Sequence, residues 1–388
     1  MKIHIHRAKF TEFLILGAFS IYLSFGLLTT SLYSQYINGT TKLVIILTLA
    51  PLLICEIASN YNVKTILSII VLSVLLFIGL EVSDGTSQLL LMEGLIFIFC
   101  LREISFDKIA KMSLYISIIL LFTVVFSSKI GLIPNFVLSS GGRIRYFLGF
   151  RYALYPSTIM TNITLLFVWL KGTEIKKKQL ILLLGLNFWM YVETDSRLTF
   201  IVACLVLVIS ILLKIFPSII NKRTFLMRLL IPSYITSAIL SYWLTVSYNP
   251  FINWYYSLNS FLGRRLSLGQ YSLNTYGFTL FGQNISWVGN GLDIYGNQST
   301  SSYLYVDSLY IQILQRYGLI FLIIILLILS IMMVRIYQKD DYLLLVLLSI
   351  TAMHGIIDDL ILYLYFNPLW ILVGIIISQN YCLRKDKN

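Results

Sequence analysis

Apolar residues in this chain come in runs that a water-soluble core has no use for. Twelve runs follow one another, near 10–30, 42–58, 64–80, 88–101, 112–132, 152–170, 179–192, 198–216, 229–247, 308–334, 342–360 and 362–381. Each is close to the ~20 residues an α-helix needs to cross the hydrocarbon layer of a bilayer. Backbone polar groups in that layer must be satisfied within the chain, so the runs are read as helices. The expected fold is an all-α polytopic membrane protein with about twelve transmembrane helices, residues 1–388 forming a single integral membrane domain. The seventh and eighth runs are parted only by the polar Glu193-Thr194-Asp195-Ser196-Arg197.

Composition agrees: 58% of the residues are hydrophobic and 12% charged, which excludes a soluble globule. The net charge of +12 then reports topology, and no basic block is long enough to be a nucleic-acid arm. The basic segment Met1–Phe10 leads into the first run with no small-residue cleavage site after it, which reads as an uncleaved first span. Cys55, Cys100, Cys204 and Cys382 fall in runs or near their inner ends, so no extracellular disulfide framework is expected.

Charge also sets the expected orientation, because short cytoplasmic loops collect Lys and Arg. With both termini cytoplasmic, 20 of the 29 basic residues lie inside, 14 of them Lys. Outside remain Lys42, Lys129 and seven of the chain's 13 arginines: Arg143, Arg145, Arg151, Arg197, Arg264, Arg265 and Arg316. Lys suffices as a bulk topological charge. Arg adds a planar fork that grips phosphate at two points and stacks on rings. Arginine on the outer face therefore points to an anionic substrate there. The two long outer loops are an Arg-rich one at 129–151 and a larger one at 248–307, rich in Gly, Asn, Ser and Tyr. The inner loops are too short for a cytosolic domain, and no GxxxxGK[ST] occurs, so nucleotide hydrolysis is not an expected energy source. No internal repeat of the inverted-transporter kind is visible.

Four constellations carry the chemistry. Gly141-Gly142-Arg143-Ile144-Arg145 through Arg151 brings three arginines and no acid, a polyanion clamp or a solvated loop meeting lipid headgroups. Thr194-Asp195-Ser196-Arg197 puts a cation at the mouth of a span, where ionisable groups need a partner or a task. Gly263-Arg264-Arg265-Leu266 follows Trp254, Tyr255 and Tyr256, aromatics that suit either a sugar groove or an interfacial belt. Adjacent arginines point to different sides of a helix, so one of Arg264 and Arg265 is expected to face a site. Finally, Asp307, Tyr310 and Arg316 enter the tenth run, and His354 and Asp358 share a face of the eleventh at i,i+4. His354 suits proton transfer, with a carboxylate to orient it, or the two are a packing pair. No second His or Cys lies nearby, so no metal site is expected.

Together the twelve spans, the two outer loops, the T-x-S-R and G-R-R-L elements, and Asp307-Ser308-Leu309-Tyr310 through Gln315-Arg316-Tyr317-Gly318 resemble the bacterial O-antigen and capsular polysaccharide polymerases (Wzy-type), which are related to the O-antigen ligases. The resemblance covers most of the chain in layout, through short and degenerate motifs. It implies a glycosyltransferase of the bacterial cytoplasmic membrane, joining undecaprenyl-diphosphate-linked repeat units at the outer face without metal or nucleotide sugar. It further implies membrane lipids, a chain-length regulator and a flippase as partners, and no nucleic acid. On this view Arg197 with Arg264 or Arg265 holds diphosphate. Arg143, Arg145 and Arg151 assist its capture, Arg316 and Tyr310 line the site, and His354, Asp358 or Asp307 is the base. The loop His typical of the ligases has no counterpart between Tyr248 and Asp307. A ligase, a lipid-linked oligosaccharide flippase and a plain anion transporter remain the alternatives.

Overall fold

The computed structural model describes residues 2–57, 59, 61–83, 85–140, 142–216, 224–378 and 383. Gly141, Lys222, Arg223, Cys382, Arg384, Lys385 and Lys387 lie outside the described residues. Helix makes up 72% of the structure, as runs of this hydropathy require. In chain order the helices are α1 (Lys2–Thr29), α2 (Thr41–Ile57), α3 (Val63–Glu81), α4 (Thr86–Cys100), α5 (Phe106–Lys129), α6 (Leu154–Lys171), α7 (Lys177–Thr194) and α8 (Arg197–Ile215). They continue as α9 (Phe225–Leu229), α10 (Ser233–Val246), α11 (Asn253–Phe261), α12 (Arg265–Tyr276), α13 (Leu309–Gln312), α14 (Gly318–Gln338), α15 (Tyr342–His354) and α16 (Gly374–Ile377).

By length and composition, five described segments can cross a membrane: Phe10–Thr29, α3, α5, α8 and Leu309–Gln338. Their surfaces agree. Ile66, Ile70, Val74 and Phe77 form an exposed apolar stripe along α3, while Leu75, Ile78 and Gly79 are buried. A large exposed apolar surface of this kind marks a membrane-facing side. The other helices expected to span are shorter or less apolar. Within the bundle α6 is central, packed on α5, α7, α8 and α15. At one end of α6 the Trp169 indole donates to Asp341, whose carboxylate also caps α15 by accepting from the Leu344 N–H at 3.0 Å.

Three local features depart from an all-α reading. Residues 137–146 form an antiparallel hairpin, β1 (Val137–Ser140) on β2 (Arg143–Tyr146), in place of an open Arg-rich loop. The eleventh run does not continue to 360: α15 ends at His354, where Gly355 turns the chain and closes on the Thr351 carbonyl. His354 and Asp358 still meet, because the Asp358 N–H donates to the His354 carbonyl at 3.0 Å. The last run breaks at Asn367-Pro368, since Pro supplies no donor; beyond it lie a 3₁₀ segment, Pro368–Val373, and the short α16.

Between α13 and α14 the helix widens into a π-turn over Ile313–Tyr317, and Gly318 sits at φ 90°. The loop around Gly282, itself at φ 91°, presses on this turn: a Cβ on Gly318 would lie 2.4 Å from the Gly282 nitrogen, and one on Gly282 2.3 Å from the Arg316 oxygen. Both positions therefore demand glycine. Gly318→Ala is expected to cost about 1–3 kcal/mol from backbone strain alone, read as a lower unfolding temperature in detergent micelles. An unchanged melting curve would show that the loop is not seated on the turn.

Candidate functional site

The arginines expected at the outer face converge at one end of the bundle, but on different partners. The first group forms around the α7–α8 junction. Asp195 adopts a left-handed conformation (φ 46°) that closes α7, and α8 starts at Arg197. Alternation along β2 sends Arg143 and Arg145 to the same face. There Arg143 pairs with the Asp195 carboxylate and donates to its carbonyl at 2.6 Å. Arg145 donates to the Thr194 carbonyl at 2.8 Å, and its guanidinium lies 5.6 Å from the centre of the Tyr152 ring. Arg197 binds the other Asp195 oxygen at 3.1 Å and stays largely exposed. Carbonyls at a helix C-terminus carry partial negative charge, which explains why the cations gather here.

Burial by itself would push the Asp195 carboxyl up, but Arg143 and Arg197 outweigh it and hold the group below the ordinary carboxylate range. The folded value is thus lower than the unfolded one. The stabilisation from this cluster is present at neutral pH and is lost as pH falls from the ordinary carboxylate value through the lowered one. Melting curves between about pH 5 and 3 should show a drop that Asp195→Asn lacks. Identical pH dependence in the two proteins would contradict the pairing.

The second group is deeper. Arg265, the first residue of α12, turns inward and lies 3.4 Å from Asp307 while donating to the Ile357 carbonyl at 2.8 Å. Its neighbour Arg264 is exposed, in a left-handed turn (φ 68°). Burial pushes the Asp307 carboxyl above the ordinary range; Arg265 pulls it part of the way back, and Asp358 adds repulsion. Asp358 is held by Thr158, whose hydroxyl donates at 3.0 Å, and by the backbone N–H of Leu360 at 2.9 Å. His354 Nε2 is 3.1 Å from Asp358, yet the geometry is not that of a hydrogen bond. Both side chains are almost fully buried, and His354 borders a cavity of about 20 Å³ whose mostly apolar wall (Leu165, Val202, Ile361, Phe366) carries the polar groups of Thr161, Asn162 and Asn367. That volume admits one water molecule. Asp359 joins the cluster: it accepts from the Tyr305 hydroxyl at 2.7 Å and from Gln312 at 2.8 Å.

Arg316 is buried in the π-turn, donates to the Ile285 carbonyl at 2.8 Å and lies 4.7 Å from the centre of the Trp287 ring. Its Nε finds no partner among the described residues. Arg151 is committed to backbone: it bonds Leu292 O at 2.9 Å and Thr29 O at 3.2 Å, stapling the large loop to the end of α1. Tyr310 is buried and donates to the Ala352 carbonyl at 2.7 Å. It also lines an apolar groove of about 270 Å³ between α3, α4 and α14.

The structure thus brings Arg145, Arg265 and Asp358 within electrostatic reach of Asp307. Arg143, Arg145 and Arg197 form a rim, Arg316 stands apart beside Trp287, and Arg264 faces outward. Sequence reasoning missed Asp359, Tyr305, Gln312 and Thr158. The signal was available in the doubled Asp358-Asp359 and in Gln312, a polar residue within an apolar run. Among the described residues no group of His, Cys, Asp and Glu is arranged to hold a metal ion. No family model, no curated protein and no solved structure matches this chain.

Proposed function

We propose that this chain is a bacterial polysaccharide polymerase of the Wzy type, crossing the cytoplasmic membrane about twelve times with its arginine-bearing end outside. It would transfer a growing oligosaccharide from one undecaprenyl-diphosphate carrier to a hydroxyl of an incoming lipid-linked unit. The single observation that carries this reading is the buried Arg265–Asp307 pair, set among further carboxylates and behind a rim of arginines. Cleaving the sugar–phosphate bond leaves negative charge on a diphosphate, which preorganised guanidiniums stabilise strongly in a dry site. Forming the new glycosidic bond releases the acceptor hydroxyl proton, which needs a base within hydrogen-bond reach.

Asp307 is the base on this reading. A carboxyl raised above its ordinary range is a stronger proton acceptor once ionised, and Arg265 offsets part of the burial that favours its neutral form. Asp358 is already engaged by the Thr158 hydroxyl and the Leu360 N–H and has His354 packed against it, so these two act from behind, Asp358 through its effect on Asp307. The apolar groove reaching Tyr310, three residues after Asp307, offers a surface suited to a polyprenyl chain. A flippase has one feature in its favour: Ser157, Thr158, Thr161, Asn162 and Thr164 give the central helix α6 a buried polar side. The readings part on one assay. The purified protein is given a synthetic undecaprenyl-diphosphate repeat unit, with no nucleotide sugar and no added metal. A polymerase yields a ladder of longer chains. A flippase moves the unit across a vesicle unchanged, and a ligase extends only when a different acceptor is supplied.

A further inference from the structure

Helix α11 has three faces instead of two. Tyr255, Asn259 and Leu262, at i, i+4 and i+7, are buried against the protein. Asn253, Ser257 and Ser260 form a second, polar face away from that core. Trp254 and Phe261, 51% and 61% exposed, form a third, apolar face together with the half-buried Leu258, whose other side packs on the Tyr255–Leu262–Leu266 core. Just before the helix, Phe251 is 93% exposed and Ile252 41%. A helix bound only to protein needs one apolar face, and one in water needs the rest polar. A separate apolar face beside a polar one fits a helix lying in the plane of a membrane surface.

We infer that α11 is an interfacial helix that rests on the bilayer, its Trp254–Leu258–Phe261 face sunk to the level of the headgroups and upper acyl chains. Two further observations name lipid as the occupant. In the chain the exposed apolar face follows α10, where Ile239, Leu240, Trp243 and Val246 are exposed, and the exposed Phe251 and Ile252 lie between the two helices. At the far end, the exposed Arg264 follows Phe261 by three residues, where a cation meets lipid phosphate. Aromatic residues concentrate at this level because their rings tolerate the boundary between apolar and wet.

The helix also sets the depth of the arginine pair at its C-terminal end. Its buried face shares a small core of Tyr255, Leu262 and Leu266 with Ile357, whose carbonyl holds Arg265. Arg265 comes four residues after Phe261, so the bilayer surface and the buried guanidinium are held at a fixed offset. If the chain acts on a lipid-linked diphosphate, this consequence puts Arg265 near the level at which that group sits; the placement of α11 itself does not depend on that reading.

Fluorescence quenching tests the placement without reference to activity. The full chain is reconstituted in nanodiscs whose phosphatidylcholine is brominated high in one acyl chain, or in unbrominated nanodiscs with aqueous iodide. The chain has six tryptophans, so the Trp254 signal is taken as the difference between the native protein and Trp254→Phe. Phe261→Trp and Ser257→Trp, each in the Trp254→Phe background, report on the apolar and polar faces. Emission from Trp254 and from the Phe261→Trp reporter should fall roughly twofold with brominated lipid and little with iodide. The Ser257→Trp reporter should do the reverse. Quenching of Trp254 by iodide as strong as that of the Ser257→Trp reporter would put this face in water and overturn the inference. Protection from both quenchers would overturn it as well, since a protein surface, such as a second copy, would then cover the helix.

Discussion

Asp307→Asn should slow chain extension by about 10²- to 10⁴-fold, the range expected for loss of a general base. The substitution keeps the side-chain shape and leaves Arg265, 3.4 Å away in the native pair, its bonds to the Ile357 and Leu262 carbonyls. The loss should therefore appear in kcat. Binding of the lipid diphosphate should be retained or tightened, because one negative charge is removed from beside the arginines. The pH profile carries a second sign. Burial raises the Asp307 carboxyl, so the acid limb of kcat/KM should lie above the ordinary carboxylate range. Arg265 lowers that value, so replacing Arg265 should shift the limb further up. Stability moves oppositely: folding favours protonated Asp307, so this contribution is present at low pH and is lost as pH rises from the unfolded towards the folded value. If Asp307→Asn lowers kcat/KM only through weaker binding, Asp307 is not the base.

Arg265 carries the second large effect. Removing one partner of a buried ion pair typically costs about 3–5 kcal/mol, because the other charge is left without compensation. Arg265 and Asp307 qualify: their side chains are 16% and 7% exposed. Arg265→Ala also abandons the Ile357 and Leu262 carbonyls, so a poorly folded protein is the expected outcome. The informative variant is Arg265→Lys. It retains a positive charge for Asp307 but cannot reach both carbonyls and a phosphate with one ammonium. It should fold, melt a few degrees lower, and lose about 10²- to 10³-fold in rate, the size of effect seen when a preorganised donor to a developing anion is removed. A Lys variant at full activity would show that the fork geometry is irrelevant.

The five long apolar segments are legible in sequence because burial in lipid is a bulk property that hydropathy measures directly. The same property is silent on where a helix stops inside an apolar run. The turn at Gly355 and the break at Asn367-Pro368 lie within segments that read as continuous. The hairpin carrying Arg143 and Arg145 reads in sequence as a flexible clamp, since four-residue strands leave almost no periodic trace. The clustering of arginine is legible as composition, but its division of labour is not. Arg151 is spent on two backbone carbonyls, and Arg143 and Arg145 cap the end of α7. Of the seven arginines expected at the outer face, Arg265 is the one set deep against a carboxylate of the large loop. Asp359 escapes because a carboxylate's partners, here Tyr305 and Gln312, come from distant segments that no local pattern connects.

The proposed reaction breaks a sugar–diphosphate bond beside Arg265 and Asp307 while a new glycosidic bond forms. The direct measurement is stoichiometry by mass spectrometry, counting lipid diphosphate released against linkages formed, in a reaction containing only protein and one lipid-linked repeat unit. One equivalent of free undecaprenyl diphosphate per new linkage, abolished in Asp307→Asn, is the predicted result. Intact substrate with no lipid diphosphate released, from protein shown to be folded, would contradict it.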